Sequence, residues 1–442
     1  MGNGEPDGRE LEPGRGGHAG SNPAPPPLLG VALAAAIAWS CGGGSASSGA
    51  DQQSEVDAEV TVDAASDLEQ TGDPSDDFIR GVDISMLHQI ESVGGRYFDA
   101  RGEARDLLSI LKERGVNWVR FRLWVDPRDA GGLPLGGGNN DLEVGLALAK
   151  RSRDAGMKLL LDLHYSDTWA DPAHQATPRS WATLDAGALA KEVYDYTSET
   201  LRAFGEAGAF PDMVQVGNEI NSGMLWPLGH IYKDESSGIP RAQAQANFVS
   251  FLEHGTRAVR DAAQARGVAV KVMLHLADGG DKDGFTYFFD RYVAGVDHDV
   301  IGISYYPYWH GTLAELVANM TNLRDVYGKE IVVAETAYAF TLEEGDELAN
   351  IFGPTAETAG GFAATVENQA TVVRSIMDAV RDLGDPGLGV FYWEPAWIPV
   401  AGAGWRTGEG NAWENQAMFD FDGRALPSLD VFAPRPQAPA RD

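Results

Sequence analysis

Val214-Gln215-Val216-Gly217-Asn218-Glu219-Ile220-Asn221 is an apolar strand that stops in an amide and a carboxylate. Val214 and Val216 suit a buried strand, whereas Asn218 and Glu219 do not. A carboxylate just past a buried strand stands where its surroundings can raise its pKa, as a general acid requires. A second stretch repeats the design: Ile331-Val332-Val333-Ala334 runs into Glu335 and is followed by Thr336-Ala337-Tyr338. Two such carboxylates facing one another are the machinery for breaking a glycosidic bond. Taken singly, each Glu reads equally well as a solvated strand end. The pair, in its aromatic-rich setting, favours catalysis.

Outward from these two stretches, strand-like and helix-like segments alternate. Strands are expected at 79–83, 118–123, 159–164, 214–216, 270–276, 300–305, 331–335 and 388–393, with helical periodicity at 101–114, 142–155, 189–204, 241–266, 285–294, 313–327 and 365–383. Eight strands alternating with helices over some 350 residues is the count of a single (β/α)8 TIM barrel. The competing doubly wound sheet would carry a Gly-rich nucleotide turn after its first strand, and none follows Asp83. In a barrel, the C-terminal strand ends form the rim that holds the active site. Asp83, Arg122, His164, Glu219, His275, Tyr305, Glu335 and Trp393 all fall at or near such ends. Eight of the eleven tryptophans (Trp124, Trp169, Trp226, Trp309, Trp393, Trp397, Trp405 and Trp413) lie there or in the loops beyond. Any one of them reads first as core packing, but eight on one side point to platforms for sugar rings.

Composition narrows the partners. Acids outnumber bases 65 to 34, and residues 78–442 alone hold 51 acids and 32 bases, a net charge of about −19. Such a surface repels phosphate backbones and anionic lipid, so nucleic acid and polyanions are disfavoured while a neutral polymer is not. His164, His275 and His310 lack the tight spacing of a preassembled zinc site, His164 and His275 reading instead as hydrogen-bonded orienters or sugar contacts, and no Gly-x-Ser-x-Gly elbow supports a serine nucleophile. The acidic segment Leu342–Gly360 shows no EF-hand pattern. It reads as solvated loop, with a structural calcium as the alternative.

Before the barrel, Leu28–Trp39 is too short to span a bilayer but suits an export signal, and it ends at Ser40-Cys41-Gly42-Gly43-Gly44 around the single cysteine. This resembles a bacterial lipoprotein signal, although Trp39 is bulky for the motif and the leader lacks net positive charge. Residues 42–77 hold ten acids, no Lys or Arg and few bulky apolar side chains, the composition of a flexible tether. The expected organisation is a lipoprotein-type signal at 1–41, an acidic linker at 42–77 and a catalytic barrel at 78–442. The leader and tether are expected to be disordered.

The body from Phe78 to Phe432 resembles glycoside hydrolase family 53, the endo-β-1,4-galactanases. The resemblance rests on Gly81-Val82-Asp83-Ile84-Ser85, Val119 to Val125, His164 to Pro172, Gln215 to Trp226, His275 to Gly280, Ser304 to Gly311, Glu335 to Tyr338 and Tyr392 to Trp397, in the family's order. It implies a clan A barrel, retaining stereochemistry and galactan or arabinogalactan as substrate. Glu219 matches the acid/base, Glu335 the nucleophile, Asn218 the partner of the sugar 2-hydroxyl and Trp393 the floor of the site. Further substrate contacts are expected from Asp83, Arg122, Trp124, His164, His275, Asp278, Tyr305, Trp309 and Trp397. Arg122 is the cation expected to keep Glu335 ionised. No cofactor is required by this chemistry, and a monomer, exported and tied to the cell surface or outer membrane through Cys41 or else secreted, completes the reading. The alternatives are an endoglycosidase of the same clan acting on another β-linked glycan, and a non-catalytic glycan-binding lipoprotein.

Overall fold

The structure, a computed structural model, describes residues 77–232 and 238–434. The signal ending at Cys41 and the linker, Asp77 apart, lie outside the described residues. Strand β1 (Ile79–Asp83) is followed by the short helix α1 (Leu87–Ser92) and a two-stranded ribbon, β2 (Tyr97–Phe98) with β3 (Ala104–Arg105). The alternation then runs α2 (Leu107–Glu113), β4 (Trp118–Leu123), α3 (Leu142–Asp154), β5 (Lys158–Leu163), α4 (Ala186–Glu206), β6 (Met213–Val216) and α5 (Arg241–Arg266). It continues through β7 (Lys271–Leu276), α6 (Lys282–Phe288), β8 (Val300–Ser304), α7 (Leu313–Tyr327), β9 (Glu330–Thr336), α8 (Pro354–Gly360), α9 (Val366–Arg381) and β10 (Gly387–Tyr392). Eight of the strands close into a parallel barrel in the order β1-β10-β9-β8-β7-β6-β5-β4, β4 returning to β1. The expected TIM barrel is therefore the fold.

The helices begin where short polar residues cap their free N–H groups. Asp106, Asp141, Asp185, Thr312 and Thr365 each accept a backbone N–H from the first turn. Asp106 explains why the helix expected from residue 101 starts later: the ribbon uses the chain up to Arg105. The helix expected at 285–294 is α6 running into a π turn, Phe289–Val293.

Two apolar clusters separate the layers. Val119, Phe121 and Leu123 of β4 point outward into the large cluster between sheet and helices. Ile79, Trp118, Leu160, Met213, Met273, Val300, Val332, Ala334 and Phe391 form a second cluster of their own. Strand alternation places that second set inside the barrel, as its lower plug. Gly81 makes room for it, since a Cβ there would sit 2.2 Å from the Phe391 ring. Two residues further along four of the strands the inward positions turn polar: Arg120 follows Trp118, Asp162 follows Leu160, Gln215 follows Met213 and His275 follows Met273. The barrel is thus greasy at its N-terminal end and charged at its C-terminal end. Among the described residues no helix is long and apolar enough to cross a membrane.

Candidate active site

Glu219 and Glu335 reach the site by local irregularities. After β6, Gly217 (φ 83°) and Glu219 (φ 45°, ψ 55°) are both left-handed. For a glutamate this conformation is strained, and it turns the side chain over the barrel mouth. On β9 the register slips: Val333 pairs with Ile303, but Glu335 pairs with Ser304. Strict alternation from the inward Val332 and Ala334 would send Glu335 outward; the extra residue of the bulge brings it in. One oxygen of each carboxylate and a ring nitrogen of His275 all lie within 4.8 Å of one another.

Arg120 ties the floor of the site together. Its Nη1 donates to Asp83 Oδ2 (2.9 Å), and its Nη2 to Asp162 Oδ2 (2.8 Å) and Asn218 Oδ1 (2.9 Å), with Glu335 Oε1 at 2.8 Å from Nη2. Its Nε donates to Gln215 Oε1 (3.2 Å). All of these groups are buried. Asp83 also accepts the amide and hydroxyl of Ser85. Around the hub, Trp124 Nε1 donates to His164 Nδ1 (3.1 Å), so the His164 proton sits on Nε2, toward Asp162 Oδ2 (3.0 Å). His275 Nδ1 lies 3.0 Å from both Gln215 Nε2 and Asn218 Oδ1, and its Nε2 is 2.9 Å from Ser304 Oγ. One Nδ2 hydrogen of Asn218 goes to the Ala170 carbonyl (2.8 Å).

The two carboxylates have unequal surroundings. Burial pushes the Glu219 carboxyl well above the ordinary range, and the charge of Glu335 pushes it further, with smaller contributions from Asp171 and Asp278. Burial also raises Glu335, but Arg120 opposes it and Tyr306 Oη donates to Glu335 Oε2 at 3.0 Å. Of the two, Glu335 gives up its proton first, and its charge then holds the proton on Glu219. Burial and the Arg120 charge push His275 down, so the ring is neutral.

A tryptophan cluster forms the adjoining wall. Trp393 meets Trp169, Trp397, Trp405 and Trp413 at ring centroid distances of 6.1, 6.0, 6.0 and 4.6 Å. Trp169 and Trp405 are half-buried and present indole surface, while Trp393 is nearly covered. Arg122 braces them from behind: its guanidinium lies 4.2 Å from the Trp169 ring centre, and its Nη groups donate to Glu394 Oε1 (2.7 Å) and the Gly137 carbonyl (2.6 Å). Trp309, 38% exposed, stands edge-on to Tyr306 at 5.5 Å. Asp278, beside the His310 ring, is exposed at the mouth (3.5 Å).

Several expected roles change. Arg122 does not neutralise Glu335; that cation is Arg120, one turn of the pleat lower, while Arg122 pairs with Glu394. Tyr305 donates to the Gly311 carbonyl (3.0 Å) and packs in the outer core, and the tyrosine on Glu335 is its neighbour Tyr306. Trp124 and Trp397 are fully buried and support the wall rather than line it. Asp83, His164 and His275 are likewise covered and act on the site through hydrogen bonds. Arg120, Asp162, Gln215, Ser304, Tyr306 and Glu394 were absent from the expected set. Arg120, Asp162 and Gln215 share the inward phase of their strands with Arg122, His164 and the turn before Asn218, which is the signal that could have found them.

Among the described residues, Glu219, His275 and Glu335 are the one cluster with metal-ligand geometry, but both His275 nitrogens are already hydrogen-bonded. In the acidic loop, Asp346 accepts the Leu348 and Asn411 amides, and Glu414 accepts those of Gly345 and Asp346.

The sequence matches the family model of glycosyl hydrolase family 53 over residues 79–432. An endo-beta-1,4-galactanase of Bacillus subtilis is 36% identical over 432 residues, covering 90% of this chain and 95% of its own. The arabinogalactan endo-beta-1,4-galactanase A of Emericella nidulans is 37% identical, covering 80% and 93%. Among solved structures, the Ignisphaera aggregans GH53 catalytic domain superposes with a TM-score of 0.76 at 48% identity, covering 80% of this chain and 95% of that one. A fungal beta-1,4-galactanase superposes with a TM-score of 0.66 at 32% identity, covering 80% and 98%.

Proposed function

The chain belongs to glycosyl hydrolase family 53 and is a glycosidase, and from this premise we propose that it cleaves β-1,4-galactan, free or within arabinogalactan, as a retaining endo-enzyme. The observation that carries the mechanism is that one oxygen of Glu219 and one of Glu335 lie within 4.8 Å of each other. Retaining enzymes hold their carboxyl groups about 5–5.5 Å apart, whereas inverting ones leave about 6.5–9.5 Å for a water.

In the first step, Glu335, kept ionised by Arg120 and the Tyr306 hydroxyl, attacks the anomeric carbon. Glu219 gives its proton to the departing sugar oxygen, so the C–O bond breaks without expelling an alkoxide. Glu219 is then a carboxylate and takes a proton from water, which displaces Glu335 from the glycosyl-enzyme and restores both groups. The remaining Nδ2 hydrogen of Asn218 is placed to hold the sugar 2-hydroxyl, and the Trp393, Trp169 and Trp405 surfaces receive ring faces. The reaction uses protein groups alone. Galactan as the substrate is supported by the galactanase relatives, and aromatic walls on an acidic body suit a neutral polymer.

Proton NMR of linear β-1,4-galactan during hydrolysis tests the reading. The first reducing ends should be β, with mid-chain cuts that shorten the polymer quickly. Initial α products would remove the double displacement, and a preference for mannan, xylan or cellulose over galactan would remove the substrate.

A further inference from the structure

We propose that an aromatic patch on the barrel's outer wall, built from Tyr232, Tyr287 and Tyr292 with Arg241 and Arg291, is a second, non-catalytic site for a distant stretch of the same neutral galactan chain. The proposal rests on the galactan reading above. Tyr232 and Tyr287 are 47% and 43% exposed, two of the four large aromatic side chains that are exposed among the described residues. They are near enough for the phenol of Tyr287 to act electrostatically on that of Tyr232. Tyr287 meets Tyr292 edge-on at 6.1 Å.

The rings are braced rather than loose. Arg241 lies 5.7 Å from the Tyr232 ring centre, and Arg291 lies 5.7 and 5.9 Å from those of Tyr287 and Tyr292. Arg241 Nε (3.1 Å) and Gln245 Nε2 (3.3 Å) both donate to the Ile231 carbonyl, and Gln245 Nε2 also to Tyr292 Oη (3.2 Å). Beside the rings, Gln245, Ala246, Val249, Arg291 and Tyr292 line a shallow cavity of about 270 Å³. Arg291 is exposed on the π turn Phe289–Val293, a helical irregularity that recurs at functional sites, while Tyr292 of the same turn is buried and backs the patch.

Among the described residues, Arg241 and Arg291 are seen against tyrosine rings rather than in ion pairs. The nearby Asp281 spends its side chain capping α6 at the Gly284 amide. The Nη donors of these guanidinium groups suit sugar hydroxyls, while tyrosine faces take the CH-rich faces of pyranose rings. The net negative charge of the body argues for a neutral chain over a polyanion. Position favours the same chain that occupies the cleft: Glu219 and Tyr232 both belong to the β6–α5 connection, and within it the Ile231 amide is tied back to the Ser222 carbonyl (3.1 Å). A polymer held at both places is presented to the cleft at a raised local concentration.

The test compares a long galactan with galactotetraose as the short-chain control, using Tyr232→Ala/Tyr287→Ala and Arg241→Ala/Arg291→Ala. Each double variant should raise the KM for long galactan roughly three- to tenfold with kcat unchanged. Its kcat/KM on galactotetraose should stay within about twofold of wild type, which also shows that it folds. In native gels containing galactan, both variants should lose part of the wild-type retardation. Unchanged polymer KM, an equal loss on the tetraose, or stronger wild-type retardation by polygalacturonate than by galactan would each overturn the site. Wild-type enzyme that cleaves neither galactan nor the tetraose would overturn the galactan reading and this site with it.

Discussion

Arg120 and Arg122 leave strand β4 on the same face, two residues apart, and both are buried beside carboxylates, yet they serve different layers of the site. Arg120 meets Asp83, Asp162, Asn218, Gln215 and Glu335, so its charge is shared among acids, one of which must do chemistry. Arg122 meets a single carboxylate, Glu394, and otherwise a carbonyl, the Met86 sulfur and the Trp169 ring. The lower layer sets the charge of the reacting groups, and the upper layer sets the shape of the wall against which the sugar lies. A guanidinium can serve either end because it is both a cation and a flat plate of donors.

Removing the lower cation is the severest way to break this division. Arg120→Met should reduce kcat on galactan by at least about 10³-fold, since a desolvated Glu335 without its partner keeps its proton. Stability should fall too, by about 3–5 kcal/mol, because buried carboxylates are left unpaired. Thermal unfolding and kinetics together check this. Near-normal turnover in a folded variant would assign the electrostatic role elsewhere.

Glu219→Ala separates the two steps of the lower layer. Loss of the acid should cost about 10²–10⁴-fold on galactan, whose leaving group is poor, while an activated aryl β-galactoside should react with a burst followed by a slow phase. Azide should speed the slow phase by replacing the water that lacks its base. Equal losses on both substrates with no burst would return Glu219 to a structural role.

The upper layer should respond differently. Burial pushes Glu394 up to about 8 against the pull of Arg122. Glu394→Gln, which keeps a hydrogen bond to Arg122 and removes the titrating charge, is therefore expected to raise KM for galactan a few fold above that pH and less below it, with little change in kcat and an altered tryptophan fluorescence spectrum. A kcat collapse resembling that of Arg120→Met would merge the two layers into one.

The smallest effect concerns the mouth. Glu219 must be protonated at the start of the cycle, and its pKa is raised, so activity should fall as pH rises through that value; it should also fall at low pH, as Glu335 takes up a proton. Asp278 contributes to the rise, so Asp278→Asn should move the basic limb to lower pH by roughly half a unit, the scale of one charge acting through solvent. A basic limb that stays put or moves upward would show that Asp278 does not act on Glu219.

Much of the barrel could be read in advance because its strands are apolar and regularly spaced, and because Asn218, Glu219 and Glu335 interrupt them abruptly. The errors came where the backbone leaves strict alternation or where the register along a strand matters. Glu335 is inward only because of the β9 bulge, which no residue in Ile331–Thr336 announces. Tyr305 and Tyr306 are adjacent, and strand phase past Ser304 decides which reaches the carboxylate. Arg122 looked closest to the rim, so the deeper Arg120 was passed over; burial depth inside a barrel follows from strand stagger, which a one-dimensional pattern does not contain. Five of the tryptophans, Trp169, Trp393, Trp397, Trp405 and Trp413, meet in one cluster, but which of them line the wall and which hold it up depends on contacts among loops far apart in sequence, as with Trp169 and Trp405.

The central claim is that Glu335 is the carboxylate that bonds to the sugar while Glu219 moves the proton. Incubating the enzyme with an activated 2-deoxy-2-fluoro-β-galactobioside, then measuring intact mass and mapping the modified peptide, tests it most directly. The fluorine slows both steps and the activated leaving group restores the first, so the glycosyl-enzyme should accumulate. The account predicts one added glycosyl unit per chain, carried on Glu335, and none in Glu335→Gln. An adduct on Glu219, or turnover with no adduct at all, would contradict it.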